Sequence, residues 1–131
     1  MNRSTMPQSD AAPERMRGMV PGVRAGGFLF LSVIRGREPG TGRFPEDPLE
    51  QARMALKNLA EVLKASGGTL ADVVKVTLYL GDLRHRDAFH QAWMETFPTD
   101  PPARTAVGVA DPNASPGGGA LFALDVIALA R

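Results

Sequence analysis

Cysteine is missing from the 131-residue chain, which excludes disulfides and thiolate metal sites while leaving the compartment open. An excess of one charge is missing too: 15 Lys and Arg against 14 Asp and Glu leave a formal net charge of +1. That balance gives no reason to expect a polyanionic partner, neither nucleic acid nor an anionic membrane. Aromatic residues are scarce, with one Trp and one Tyr, so the stacking platforms of a single-strand nucleic-acid groove are absent. No apolar run approaches the roughly 18 residues that span a bilayer. The stretch Met1 to Met16 is polar and lacks the apolar segment of a secretory leader, so the expected location is cytoplasmic. The glycosylation sequons at Asn2 and Asn113 are then chance matches.

What is present is an ordinary globular composition, 44% hydrophobic and 22% charged. A chain of this size folds as one domain and buries roughly two-thirds of its unfolded surface. Residues 1–17 read as a flexible arm without apolar periodicity, and 18–131 as the single domain. Met19 to Arg24 is a weak strand and Phe28 to Ile34 a strong one, with Gly26-Gly27 as the turn between them. Arg35 to Pro48, rich in Gly and Pro, is a loop.

Asp47, Pro48 and Glu50 have the spacing of a helix start with a capping box. Leu49, Ala52, Leu56, Leu59 and Leu63 follow at steps of three and four as one apolar face, which Gly67-Gly68 ends. A capped turn, Thr69 to Asp72, leads into the β-branched strand Val73 to Leu80. A second helix is predicted over about 84–97, carrying Phe89, Trp93 and Phe97 on one side and stopped by Pro98. Thr105 to Val109 is a strand, Ala110 to Gly119 a loop with Gly117-Gly118-Gly119 as its turn, and Ala120 to Ala130 the last strand.

The resulting order, β-β-α-β-α-β-β, implies an α+β fold with a mostly antiparallel or mixed sheet and both helices on one face. In the last strand Phe122, Leu124, Val126 and Ala128 point one way, and Leu121, Ala123, Ile127 and Leu129 the other. Both faces are apolar apart from Asp125. Two helices cover only one face of such a sheet, so the other would be an exposed apolar patch, and oligomerisation is expected.

Three strings, Gln51-Ala-Arg with Leu56-Lys-Asn-Leu59, Thr69-Leu-Ala-Asp-Val-Val-Lys75 and Pro102-Ala-Arg104, occur in this order of elements. In these the chain resembles the YjgF/RidA family, also labelled endoribonuclease L-PSP, from about Met19 to the C-terminus. The resemblance implies a chorismate-mutase-like fold and a homotrimer whose sheets enclose a central β-barrel, with a site in each cleft between subunits. It also implies hydrolysis of enamines and imines to 2-oxo acids and ammonia, with no metal or organic cofactor. The partners implied are further copies of the chain and a small carboxylate such as a 2-imino or 2-oxo acid.

Through the resemblance Arg104 is the carboxylate anchor, and a guanidinium offers the planar fork of donors such a ligand needs. Ser32 and Val33 stand where the family has Ser-Gly, whose backbone N–H assists. His90 stands where deaminating relatives have Asn, on the second helix, and is a candidate general acid or base. Met19 takes the place of a substrate-side Tyr, Ala106 that of a frequent Cys, and Ala123 that of the Glu that positions water. Asp125, two residues on and on the same face, is the candidate replacement acid, or else a polar contact lining the trimer's channel.

His85 and His90 project about 140° apart around a helix axis, so no metal site is expected. Gly36 to Gly42 lacks the Lys-Ser/Thr ending of a phosphate loop. Arg35 and Arg37 either rim the site with positive charge or belong to a solvated loop. Two functions stay open: an imine deaminase, and a non-catalytic trimer that binds a small carboxylate with the same anchor but lacks the deaminase acid. An ammonia-release assay separates them.

Overall fold

The computed structural model describes residues 2–114 and 118–131; the expected turn at Gly117 and the end of the second sequon lie outside them. Six strands form one sheet in the order β1-β2-β3-β6-β4-β5. They are β1 (Arg3–Thr5), β2 (Gly22–Ala25), β3 (Phe28–Ile34), β4 (Val73–Leu80), β5 (Ala103–Gly108) and β6 (Phe122–Leu129), with helices α1 (Pro48–Ala65) and α2 (Arg86–Thr96). All neighbours pair antiparallel except β4 and β5, which run parallel. That parallel pair needs a crossover, which α2 provides. The sheet is therefore mixed, within an α+β fold.

One expectation is corrected at the N-terminus. Residues 3–5 are not a free arm but an edge strand, Arg3–Thr5, in register with Val23–Ala25 of β2. Met6 continues the pairing through its N–H to Gly22 O at 2.9 Å, and its side chain is 3% exposed. Ala12 is buried as well. Two short apolar contacts are too sparse to register as periodicity.

The helix ends form as their residues dictate. The Asp47 carboxylate accepts from Glu50 N at 3.0 Å, while the Glu50 carboxylate turns to Arg53 instead of closing the capping box. At the other end Gly67 adopts φ +79°. Gly68 N donates to Leu63 O and Gly67 N to Lys64 O, the two bonds of a Schellman cap. The Thr69–Asp72 turn has both halves of its capping box. The expected second helix is divided: Leu83–His85 is a separate 3-10 turn capped by Asp82, and α2 starts at Arg86.

Both helices lie on the sheet face formed by Leu29 and Leu31, Val76, Leu78 and Leu80, and Phe122, Leu124 and Val126. Phe89 of α2 meets Phe122 at 5.2 Å between ring centroids. Trp93 and Phe97 extend the ladder, 4.6 Å apart. Truncating a buried aromatic of this kind typically costs about 3–5 kcal/mol.

The opposite face has no helix. Phe28, Phe30, Val107 and Leu129 are 39%, 46%, 39% and 39% exposed there, flanking a polar strip of Lys75, Thr105, Tyr79 and Asp125. Among the described residues no helix is long and apolar enough to cross a membrane.

Candidate functional site

Two buried amides on α1 shape the ground around the site. Gln51 donates to Pro45 O and Gly119 O at 2.9 Å each and accepts from Leu121 N at 2.7 Å. Asn58 donates to Arg35 O and Arg37 O at 2.8 Å each. Between those carbonyls Gly36 passes so close to α1 that a Cβ would collide with the Gln51 carbonyl. The Gln51 and Asn58 strings thus have a physical reason: each buried amide tethers a loop, Gln51 through both its ends and Asn58 through its donor, its Oδ1 being left without a partner.

Arg104 lies on β5 opposite Val76, so its side chain is on the helix-covered side, at the sheet's edge. Its guanidinium stacks 4.8 Å over the Trp93 ring. Nη2 is 3.1 Å from His90 Nδ1. Because a guanidinium only donates, Nδ1 is the acceptor in this contact, and Nε2 carries the ring hydrogen. Nη1 is buried with no hydrogen-bond partner. Burial pushes the Arg104 guanidinium below arginine's usual value, and the charge of Arg86 pushes the same way. Among the described residues no carboxylate pairs with it. A fixed, partly desolvated cation with an idle donor is suited to an anion.

Met19 and Val33 meet elsewhere, at a cavity of about 330 Å³ between the N-terminal segment and β3. Ser32 borders it: Arg15 Nη1, which also lines the cavity, donates to Ser32 O at 2.8 Å and Val33 O at 3.0 Å. Arg35 and Arg37 complete its basic wall. Sequence reasoning missed Arg15, because it falls in the segment read as a free arm; only the pairing with β3 carbonyls reveals it. A wider hollow of about 1010 Å³ under the Arg35–Glu46 loop is lined by Arg35 and Arg37, with their partners Asn113, Gly42 and Phe44, and by none of Arg104, His90, Ser32, Val33, Met19 and Asp125.

Asp125 is in a third place. It lies on the uncovered face, where the Tyr79 hydroxyl donates to its Oδ2 at 3.1 Å. That contact raises the Tyr79 phenol above its usual value, since the neighbouring carboxylate disfavours a phenolate. Ala123 is on the same face, opposite Tyr79 and 4% exposed.

Within one chain these residues cannot share a ligand. β3 and β5 are separated by β6 and β4, three strand spacings or about 14 Å. Arg104 and Asp125 also face opposite sides of the sheet. Structure brings Arg104 and His90 together, and separately Met19, Val33 and Ser32. Among the described residues no group of three or more His, Asp or Glu is placed to hold a metal ion.

The pattern described as endoribonuclease L-PSP matches residues 9–129. The chain is 35% identical over 103 residues to Reactive Intermediate Deaminase A, chloroplastic, of Arabidopsis thaliana, covering 78% of this chain but 55% of that protein. It is 34% identical over 102 residues to a RutC family protein of Pyrococcus horikoshii, covering 77% of this chain and 81% of that one. Among solved structures, RidA from the Antarctic bacterium Psychrobacter superposes with a TM-score of 0.86 at 28% identity, covering 96% of this chain and 99% of that chain. With its sequence matched over nearly its whole length and its sheet and helices superposing on those of a RidA, the chain belongs to the YjgF/RidA, or endoribonuclease L-PSP, family.

Proposed function

We propose that this protein is a RidA-type imine deaminase, hydrolysing small 2-imino acids to 2-oxo acids and ammonia where two copies of the chain meet in a homotrimer. The observation that carries the reading is the Arg104 guanidinium, held by Trp93 and His90 with Nη1 buried and idle. The name of the Arabidopsis relative supports the reaction class. The uncovered apolar face and the separation of Arg104 from Ser32 and Val33 support a site shared between copies.

In this reading Arg104 of one copy grips the substrate carboxylate, and the Ser32–Val33 backbone of a neighbour assists. Water adds to the imine carbon, giving a carbinolamine. Its collapse breaks the C–N bond, forms the C=O and releases ammonia. Alignment of a bound carbon with an ordered water supplies much of such an acceleration. His90 orients Arg104: with Nδ1 occupied it has no free lone pair to take a proton, and offers Nε2–H as a donor.

One observation favours a second reading. Ala123 and Met19 offer no acid or hydroxyl, and Asp125 is engaged by Tyr79, so a carboxylate-binding trimer without turnover is the alternative. Release of ammonia from freshly generated 2-imino acids, followed alongside semicarbazide trapping, tests the proposal. Accelerated decay of the imine supports the deaminase; decay at the uncatalysed rate with 2-oxo acid still bound supports the alternative.

A further inference from the structure

We infer that the cavity beside Ser32 and Val33 holds a second anionic group, so that the preferred ligand is a dicarboxylic 2-imino or 2-oxo acid. The inference rests on the reading above, in which a small carboxylate reaches the Ser32–Val33 backbone. Three arginines, Arg15, Arg35 and Arg37, line this cavity against one acid, Glu14. Among the described residues none of the three is in an ion pair.

Arg15 is the most telling. Its Nη1 is pinned on the Ser32 and Val33 carbonyls, while its Nε is buried without a partner. Burial and the nearby charge of Arg35 both act against its protonated form. Arg35 is fixed in turn by the Pro112 and Asn113 carbonyls, at 2.9 and 3.0 Å. Arg37 is stacked 4.7 Å over Phe44 and bonded to Gly42 O. Neutral carbonyls orient these cations, and Asp111 offsets part of the charge at Arg35 alone. An anion entering the cavity would relieve the repulsion and satisfy the idle donor.

The dimensions suit a small diacid. A cavity of about 330 Å³ is at the lower end of the range for small-molecule sites. Two carboxyl carbons of a five-carbon diacid are about 5 Å apart, so one end can reach Ser32 and Val33 while the other meets the arginines. Met19, Ile34 and Val62 supply apolar wall for the methylenes between.

Calorimetric titration with 2-oxoglutarate and 2-oxopentanoate, equal in chain length and different only in the far carboxylate, tests this. Wild type should bind the diacid tighter by about tenfold or more, the usual scale of one charge-assisted hydrogen bond. Arg15→Gln should bring the ratio of the two affinities toward one. Arg37→Gln, at an exposed arginine, should lower the ratio several-fold and decides the matter if the Arg15 variant does not fold. Equal wild-type affinities, or a preference surviving both substitutions, overturns the inference and leaves the carboxylate site standing. Failure of wild type to bind either acid overturns the site itself.

Discussion

His90 Nδ1 and Arg104 Nη2 lie 3.1 Å apart, bridging α2 and β5 at the edge of the sheet. With Trp93 beneath the guanidinium, the bond fixes the plane of the group, which under the proposed function would lower the ordering cost of binding a carboxylate. Arg104→Lys keeps the charge but loses both the planar fork and the stack. Small-carboxylate binding should fall well over a hundredfold, the scale of about 3–5 kcal/mol for breaking a buried ion pair. Calorimetry with 2-oxobutanoate reads the loss, and light scattering shows whether assembly persists; unaltered affinity would remove Arg104 from the site.

Phe30 is 46% exposed near the middle of the helix-free face, between Val23 and Ile127. Phe30→Glu should convert an assembled protein into monomers near 14.0 kDa and abolish carboxylate binding with it. Size exclusion with light scattering gives the mass. Monomeric wild-type protein, or a monomeric variant that binds normally, contradicts a shared site.

Tyr79 is the only tyrosine in the chain, so phenolate absorbance reports it alone. Asp125 raises its value by accepting the phenolic hydrogen bond and opposing phenolate charge. Asp125→Asn should therefore move the titration down toward the ordinary tyrosine value of about 10. Imine hydrolysis by the same variant separates the two roles of Asp125: retained turnover marks a channel contact, lost turnover a replacement acid.

Asp72 ties the turn before β4 to the C-terminus. Its carboxylate accepts from Thr69 N at 2.9 Å and pairs with Arg131 Nε at 2.6 Å. The Thr69 N–H first, and Arg131 second, hold its carboxyl below the usual value of 3.8. The sign follows from linkage: the stability is fully present above the unfolded value and is lost as pH falls through the folded one. Acid unfolding of wild type, read by Trp93 fluorescence, should show this loss, and Asp72→Asn should be less stable at neutral pH with a flatter acid limb. Parallel curves for the two proteins would show that the pair contributes nothing.

How much of this was legible in the sequence depends on range. α1 and its two ends, the Thr69 turn, the apolar faces of β3, β4 and β6 and the Phe89–Trp93–Phe97 ladder all follow from spacing and capping within a few residues. β1 was not legible: three polar residues become a strand only because β2 offers an open edge. The meeting of Arg104 with His90 and Trp93 depends on β5 lying parallel beside β4, a pairing that local pattern does not encode. The role of Arg15 depends on carbonyls 17 and 18 residues away. Family resemblance supplied Arg104, Ser32, Val33 and Met19, but the split into two clusters appeared only in three dimensions.

The central claim, a site completed by a neighbouring copy, is tested most directly by complementation. Arg104→Lys removes the proposed anchor, and Met19→Trp fills the cavity beside Val33; each should abolish carboxylate binding in its own assembly. Co-assembled in equal amounts, the two chains should recover about one binding site in four, since some interfaces then join an intact anchor to an intact cavity. Calorimetric titration of the mixed assembly with 2-oxobutanoate counts those sites. Recovered sites are the predicted result; none, in an assembly shown by mass to contain both chains, would contradict a site shared between subunits.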